Sequence, residues 1–197
     1  MVRVFSASYS PYMIYVKKSK YRLFVVNRKW EVLKVLDIAV GRKENFERKV
    51  HQGDNGTPEG YYFVNEILSQ DADIKSESYQ KLKYMNSIYF KAKEGHFLWG
   101  KPDTDAGYRV YGPRYFGIDF PNQDDLRMYN EFLRKGLIPR DQNNRYRGQG
   151  TGLAIHGTND PVSVSHRISS GCVRLRNEDV VLLDPFIEMG TPVYIEK

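Results

Sequence analysis

The first forty residues alternate between runs of β-branched and aromatic side chains and short polar connectors. The apolar runs cover residues 12–16, 21–26 and 30–40, and the connectors between them have hairpin length. Such side chains favour strands because they pack well on a pleated surface. The pattern therefore predicts an antiparallel meander that ends at Gly41, and the apolar run at residues 61–67 predicts a further strand.

The middle of the chain has a weaker pattern, from about residue 68 to 150. Residues 71–85 fit a short helix or an irregular segment, and residues 123–137 have apolar positions at helical spacing. Strand-like pieces are predicted at residues 108–111 and 115–120, and a short strand at residues 153–155 ends at His156. A helix capped by Asn177 is predicted to reach about Ile187, and a last strand covers residues 190–195. We found no internal repeat or long linker. The chain is predicted to be one mainly β domain over residues 1–197 with a few short helices.

Composition places the chain among soluble globular proteins. Hydrophobic residues make up 41% and charged residues 27%, and no apolar run approaches the length of about 20 residues that a membrane-spanning helix needs. The net charge of +6 allows attraction to an anionic partner, although a solvated basic surface explains it equally well. Because no base-reading or base-stacking motif accompanies the basic residues, we predict no nucleic-acid partner.

Cysteine usage and the opening residues bear on the compartment. The chain has one cysteine, which excludes a disulfide framework within the chain and any site with several cysteine ligands. Residues 1–11 lack the continuous apolar core of a signal peptide. On these residues alone, the protein is either cytoplasmic or has lost a leader before this chain begins.

Several partial motifs do not support a ligand site. The stretch from Gly95 to Lys101 has the spacing of a phosphate-binding loop, but Pro102 stands where Ser or Thr would bind magnesium. A partial calcium loop starts at Asp71 but lacks its glycine and its final glutamate. The four histidines are dispersed along the chain. We therefore predict neither a cofactor nor a metal.

The remaining candidate chemistry lies in two short segments, Ile155–Thr158 and Ser169–Leu175 (sequence letters IHGT and SSGCVRL). A cysteine becomes a useful nucleophile when a base stands beside it, and His156 at the end of a strand is a candidate base for Cys172. Gly171 permits a tight turn before the thiol, and backbone N–H groups there could bind an oxyanion. Arg174 could hold a substrate carboxylate. Two alternatives stay open: Cys172 as a small buried apolar side chain, and His166 as the base.

These segments resemble the signature of the L,D-transpeptidase catalytic domain, a bacterial peptidoglycan-modifying family. Further landmarks of that family follow in the expected order. They are a Gly-rich stretch at residues 53–63 with Thr57, Pro58 and Gly60, a segment at residues 117–124, and a terminal strand at residues 190–195. The resemblance covers the chain from about Tyr12 to Ile195.

The resemblance implies a mainly β fold of sandwich or barrel type and thiol acyl transfer on peptidoglycan stem peptides. Cys172 would attack the carbonyl before the terminal D-alanine of a tetrapeptide stem, with His156 as the base and the Gly157 carbonyl orienting it. Gly171, Ser170 and Ser169 would bind the oxyanion or the substrate, together with Arg174. Products would be a 3→3 crosslink or a tripeptide stem, and the substrate implies export to the periplasm or cell wall.

This chain departs from the family pattern at two places. The family usually has His directly before the Gly-Cys pair, where this chain has Ser170. The region of about 68–150 exceeds the compact family pattern, and we expect it to form a lid or wall around the cleft. A non-catalytic peptidoglycan-binding module of the same fold and a cysteine amidase with another substrate remain alternatives. The sequence does not determine the oligomeric state.

Overall fold

The computed structural model describes residues 8–197. Residues 1–7, which belong to the predicted 1–197 domain and to the stretch inspected for a signal peptide, lie outside the described residues. The structure is mainly β with a few short helices, as the sequence predicts. Its strands are β1 Tyr12–Lys17, β2 Arg22–Asn27, β3 Val32–Asp37, β4 Val40–Gly41, β5 Gly60–Ser69, β6 Phe97–Leu98, β7 Lys101–Asp105, β8 Arg114–Ile118, β9 Ala154–His156, β10 Arg167–Ser169, β11 Val173–Arg174 and β12 Pro192–Glu196. Its α-helices are α1 Glu77–Asn86, α2 Gln123–Arg134 and α3 Asn177–Val181.

Eight of these strands form one curled sheet in the order β11-β9-β8-β5-β12-β1-β2-β3. Strands β1, β2 and β3 form the predicted antiparallel meander. Strand β12 returns from the end of the chain to pair in parallel with β1, and β11 pairs in parallel with β9. A separate two-stranded ribbon joins β4 to β10. The sheet therefore brings β9 and β11, which carry the candidate chemistry, to one edge.

The core lies on the inner face of the curled sheet. Alternate residues of β1, β2 and β12 have no solvent exposure or almost none, which is the period-two pattern of strands with one buried face. The segment after β11 adds Leu175, Val180 and Leu183 to the same core. Burial of these side chains stabilises the edge of the sheet beside Cys172, because each fully buried aliphatic side chain contributes about 1.5–3 kcal/mol.

The structure corrects four element predictions. The predicted strand at residues 30–40 is broken into β3 and β4. Residues 108–111 form a turn and not a strand, because Arg109 has a positive φ of 61° and glycines with positive φ flank it at positions 107 and 112. Helix α3 ends at Val181, short of Ile187. Asn177 is the first residue of α3 and does not cap it, since its side chain accepts the N–H of Thr158 at 3.0 Å.

Residues 87–112, named the lid from here on, extend from the sheet between α1 and β8 and contain the small hairpin of β6 and β7. The lid is held at both sides. Asn159 Nδ2 donates to the carbonyls of Ala106 and Tyr108 at 2.6 and 2.7 Å. On the other side, Arg42 Nη1 donates to the carbonyl of Gly95 at 2.7 Å.

Across residues 8–197, we found no helix with both the length and the apolar character needed to cross a bilayer.

Candidate active site

The register of β9 and β11 places Cys172 close to His156. Val173 stands opposite Ile155 and Arg174 opposite His156 in this parallel pair. Alternate residues of a strand share a face, so the side chains at 172 and 174 lie on the same face as His156. His156 and Cys172 line one cavity. Two residues that are sixteen positions apart in sequence are therefore neighbours at the sheet edge.

The cavity around the thiol is small and lies partly beneath the lid. Its volume is about 80 Å³. The sheet edge and the cysteine loop contribute His156, Ser170, Cys172 and Arg174, whereas the lid contributes Phe90, Gly95, His96, Phe97, Ala106, Val110 and Tyr111. Clefts that bind small molecules usually have about 300–1,000 Å³, so this cavity is smaller than a typical ligand site. A bound peptide would therefore extend beyond it.

A backbone carbonyl orients the imidazole of His156. Its Nδ1 lies 2.6 Å from the carbonyl oxygen of Gly157. A carbonyl can only accept, so Nδ1 carries the proton and Nε2 has a free lone pair. The rings of Tyr111 and Tyr115 pack on the imidazole, with centroids 5.1 and 6.1 Å away. The ring is thus held in one tautomer and one orientation.

Position 157 has no room for a side chain. A Cβ there would lie 2.4 Å from Asn177 Oδ1 and 3.0 Å from Pro113 Cδ. Asn177 holds the same turn by accepting the N–H of Thr158. The carbonyl that orients His156 is therefore held by close packing on both sides.

Burial keeps His156 neutral. The side chain is 2% exposed, and this burial, together with the charge of Arg174, lowers its pKa to about 3. The hydrogen bond to Gly157 opposes this shift. At neutral pH the imidazole is uncharged and its Nε2 can accept a proton.

Cys172 is half-buried and its thiol is protonated at rest. Burial raises the pKa of the thiol, while a hydrogen bond from the N–H of Ala154 and the charges of Arg174 and Lys49 act in the opposite direction. The thiol lies 3.8 Å from the carbonyl oxygen of Gly152, a suitable acceptor for a neutral S–H. The resting pair is therefore a neutral thiol and a neutral imidazole.

Ser169 and Gly171 build the turn before the thiol. Ser169 is fully buried, and its hydroxyl donates to the Cys172 carbonyl at 2.5 Å and accepts the N–H of Gly171 at 3.0 Å. Gly171 has a φ of 137°, and a Cβ there would lie 2.9 Å from the carbonyl oxygen of Gly56. The N–H of Gly171 is thus paired with Ser169, and Ser169 faces the interior. The binding roles expected of the two residues stay predictions.

The other predicted residues fall into two groups. Ser170 is exposed and lines the cavity with Arg174 and Cys172. His166, the rival base, does not line it, and its ring stacks on Trp99 with centroids 4.1 Å apart. The geometry thus favours His156 over His166 as the partner of the thiol.

The sequence did not predict the cavity residues outside the two short segments, and those with polar groups on their side chains are Arg42, His96 and Tyr111. Burial, with the charges of Arg174 and Arg42, lowers the pKa of His96. No sequence spacing relates these residues to residues 156–174. His96 and Tyr111 belong to the lid, and Arg42 follows directly after β4. Among the described residues, no group of three His, Cys, Asp or Glu side chains could hold a metal ion.

Comparison with known proteins agrees with this geometry. The family model of the L,D-transpeptidase catalytic domain (YkuD) matches residues 11–195. Two Bacillus subtilis proteins named as L,D-transpeptidases are similar: YqjB is 30% identical over 138 residues, and YkuD is 44% identical over 43 residues. These alignments cover 70% and 22% of this chain.

Among solved structures, Bd1075 of Bdellovibrio bacteriovorus has a similar fold, with a TM-score of 0.54 at 23% identity over 97% of this chain. This chain spans less than two thirds of the length of these proteins. The matched regions cover 59% of YqjB, 26% of YkuD and 49% of Bd1075.

Proposed function

Because the chain belongs to the L,D-transpeptidase catalytic domain family, we propose that it catalyses cysteine-dependent acyl transfer on peptidoglycan stem peptides. The donor is a tetrapeptide stem, and the bond that breaks precedes its terminal D-alanine. The observation that carries this proposal is the single cavity that holds Cys172 and a neutral His156, whose Nδ1–H is bound to the Gly157 carbonyl. The substrate lies outside the cytoplasmic membrane, so we place the activity in the periplasm or at the cell wall.

Acylation begins with a neutral thiol. As Sγ of Cys172 attacks the scissile carbonyl carbon, its proton passes to Nε2 of His156, and a tetrahedral oxyanion forms. The Gly157 carbonyl and the two tyrosine rings keep the resulting imidazolium in place. His156 then gives the proton to the leaving amine, the C–N bond breaks, and D-alanine departs. The stem remains bound to Cys172 as a thioester.

Deacylation reverses these proton transfers. An amine of a second stem, or water, attacks the thioester carbonyl and loses a proton to His156, and the thiolate leaves and is reprotonated. An amine gives a 3→3 crosslink, and water gives a tripeptide stem. The lid covers the thiol in the resting structure, so we infer that access of the acceptor past the lid selects between the two products.

Mass spectrometry of purified disaccharide-tetrapeptide incubated with the protein tests the proposal. We expect loss of the terminal D-alanine with the intact chain and none with Cys172→Ala. Arg127→Gln, which changes an exposed residue of α2, should behave as the intact chain. Tripeptide monomers would indicate hydrolysis, and crosslinked dimers would indicate transfer. An unchanged tetrapeptide with folded, reduced protein would reject the proposal and favour a non-catalytic binding module.

A further inference from the structure

Two arginine side chains, Arg42 and Arg174, line the cavity with the thiol, and no Asp or Glu among the described residues lines it with them. The salt bridges within residues 8–197 include neither arginine. Arg42 has neutral partners: Nη1 donates to the Gly95 carbonyl and Nη2 to Asn55 Oδ1 at 3.1 Å. Nε of Arg174 is buried without a hydrogen-bond partner.

The two guanidinium groups are partly buried in one cavity, where they repel each other and have lost part of their hydration. The carboxylate of Asp160 acts electrostatically on Arg174, but it accepts the N–H of Trp99 at 2.8 Å and forms no ion pair with the arginine. Charges that have lost hydration are normally paired, because an unpaired one keeps its desolvation penalty. The cavity thus has the electrostatic character of an anion-binding site, and guanidinium groups match the geometry of a carboxylate.

The position of Arg174 relative to Cys172 indicates which carboxylate of the substrate the cavity would bind. Arg174 lies two residues after Cys172 on the same face of an extended segment, which separates the two Cα atoms by about 7 Å. In a peptide attacked by Cys172, the carboxylate of the leaving residue is only three bonds from the scissile carbonyl carbon. The guanidinium of Arg174 can therefore reach the carboxylate of the leaving residue.

We propose that Arg42 and Arg174 form a two-guanidinium subsite for the free carboxylate of the leaving residue. This inference rests on the proposed function and deepens it: two named arginines would recognise the free terminal carboxylate of the leaving residue. Arg42 also holds the lid through Gly95. A bound carboxylate would compete with the Gly95 carbonyl for the guanidinium of Arg42. Substrate binding would therefore weaken this contact between Arg42 and the lid.

Alkylation of the single cysteine tests the subsite without any need for turnover. Iodoacetate and iodoacetamide react by the same displacement at carbon, and only iodoacetate carries a carboxylate. With a free thiol such as glutathione, the amide reacts faster. We expect Cys172 of the intact chain to favour iodoacetate relative to that reference. Arg42→Gln should slow iodoacetate roughly tenfold or more while changing the iodoacetamide rate less than about twofold.

Two control variants separate local from general effects. Arg127→Gln removes the same charge from an exposed position, with a side chain 74% exposed, and should leave both rates unchanged. Arg42→Lys retains the charge and should retain part of the preference. An equal change in the rates of both reagents in Arg42→Gln, whether faster or slower, would indicate an effect through the lid. An iodoacetate preference no greater than that of glutathione would remove the basis for the subsite. Either result overturns the inference.

Turnover of two tetrapeptide stems then identifies the carboxylate. One stem ends in D-alanine and the other in its C-terminal amide. We expect the intact chain to favour the acid by roughly 10- to 100-fold in kcat/KM, and Arg42→Gln to remove most of that preference. If the preference instead follows a free carboxylate on the third residue, the assignment to the leaving residue is wrong. A folded protein that converts neither stem rejects the proposed function, and the alkylation ratio still decides on the subsite.

Discussion

The proposed nucleophile Cys172 and the proposed base His156 rest in their uncharged forms, and burial is the physical cause for both. His156 is 2% exposed and Cys172 is half-buried beneath the lid. A thiolate–imidazolium pair would place two charges in a cavity that already contains Arg42 and Arg174. In the proposed mechanism the proton therefore moves from sulfur to Nε2 during attack and not before it, which is general-base catalysis on a neutral thiol.

The pH dependence of cysteine alkylation checks this resting state. Burial raises the pKa of the Cys172 thiol, so the thiolate fraction continues to increase as the pH rises past about 8.5, the ordinary value for a thiol. The pKa of His156 is lowered to about 3, so its protonation adds no step between about pH 5 and 8. We expect the iodoacetamide rate to rise without a plateau across this range. A plateau beginning near pH 6 would contradict the neutral pair.

Gly157 is expected to tolerate no side chain. Gly157→Ala would place Cβ 2.4 Å from Asn177 Oδ1 and displace the carbonyl that orients His156. Overpacking of this kind costs about 1–3 kcal/mol of stability, and we expect kcat/KM to fall at least about tenfold because Nε2 loses its alignment. Gly148→Ala is the matched control, since a Cβ added at that position would have no atom within 4 Å. Equal activity of the two variants would show that the carbonyl is not needed.

At the scale of elements, we expect the lid to control access to the site. It contributes more than half of the residues that line the cavity, and Asn159 fastens it to the loop that follows β9. The hydrogen bonds from Arg42 and Asn159 are on opposite sides of the lid, so release of either one opens a different edge. The lid is also held by Trp99, whose N–H donates to Asp160 and whose ring stacks on His166, so the loss of one anchor loosens the lid only in part.

Asn159→Ala should loosen the lid without altering the sheet. The variant removes two donors to lid carbonyls, at Ala106 and Tyr108. We expect Cys172 to react several-fold faster with a bulky maleimide and to show a smaller change with iodoacetamide, which is small enough to enter a narrower opening. Asn130→Ala, at a surface position of α2, is the control. An unchanged maleimide rate in Asn159→Ala would exclude this anchor as a determinant of access.

At the scale of the whole molecule, long-range strand pairs hold the site together. Strand β12 joins β1 to β5, and β8 joins β5 to β9. Arg114 on β8 is 4% exposed, and its Nε donates to both carboxylate oxygens of Asp184 at 2.9 Å, while Nη2 pairs with Asp71. Its carbonyl accepts the N–H of Gly157 at 3.2 Å. One buried arginine thus connects the α3 side of the molecule to the turn that orients His156.

The two acids that bind Arg114 should differ in their effect on stability. The side chain of Asp184 is 39% exposed and makes the bidentate contact, whereas that of Asp71 is 74% exposed. We expect Asp184→Asn to lower the free energy of unfolding by about 1–3 kcal/mol and Asp71→Asn by less than about 0.5 kcal/mol. Urea unfolding of the two variants measures both changes. Equal losses would mean that the geometry of the contact does not matter.

The sequence was sufficient for the fold class, for most strands and for the family. Runs of β-branched and aromatic residues predicted β1, β2 and β5, and helical spacing predicted α2, because residue type and spacing are local properties of the chain. The sequence also predicted that His156 and Cys172 lie close together, and both line one cavity. This was possible because a cysteine and a candidate base stand in two short, recognisable segments. The four element predictions that were wrong concern breaks, turns and helix ends, which depend on local dihedral angles and on side chains from elsewhere, such as Asn177 with Thr158.

Only the tertiary structure decided how the site is completed. In the folded chain the Gly171 N–H donates to Ser169, and the ring of His166 stacks on Trp99. Arg42 and His96 line the same cavity as the thiol. No pattern in the sequence records these contacts, because they join segments that are tens of residues apart through the lid and the sheet edge. Residue chemistry and periodicity are local properties that a sequence displays directly. Burial, the resulting pKa shifts and the unpaired charge of the cavity exist only once the chain has folded.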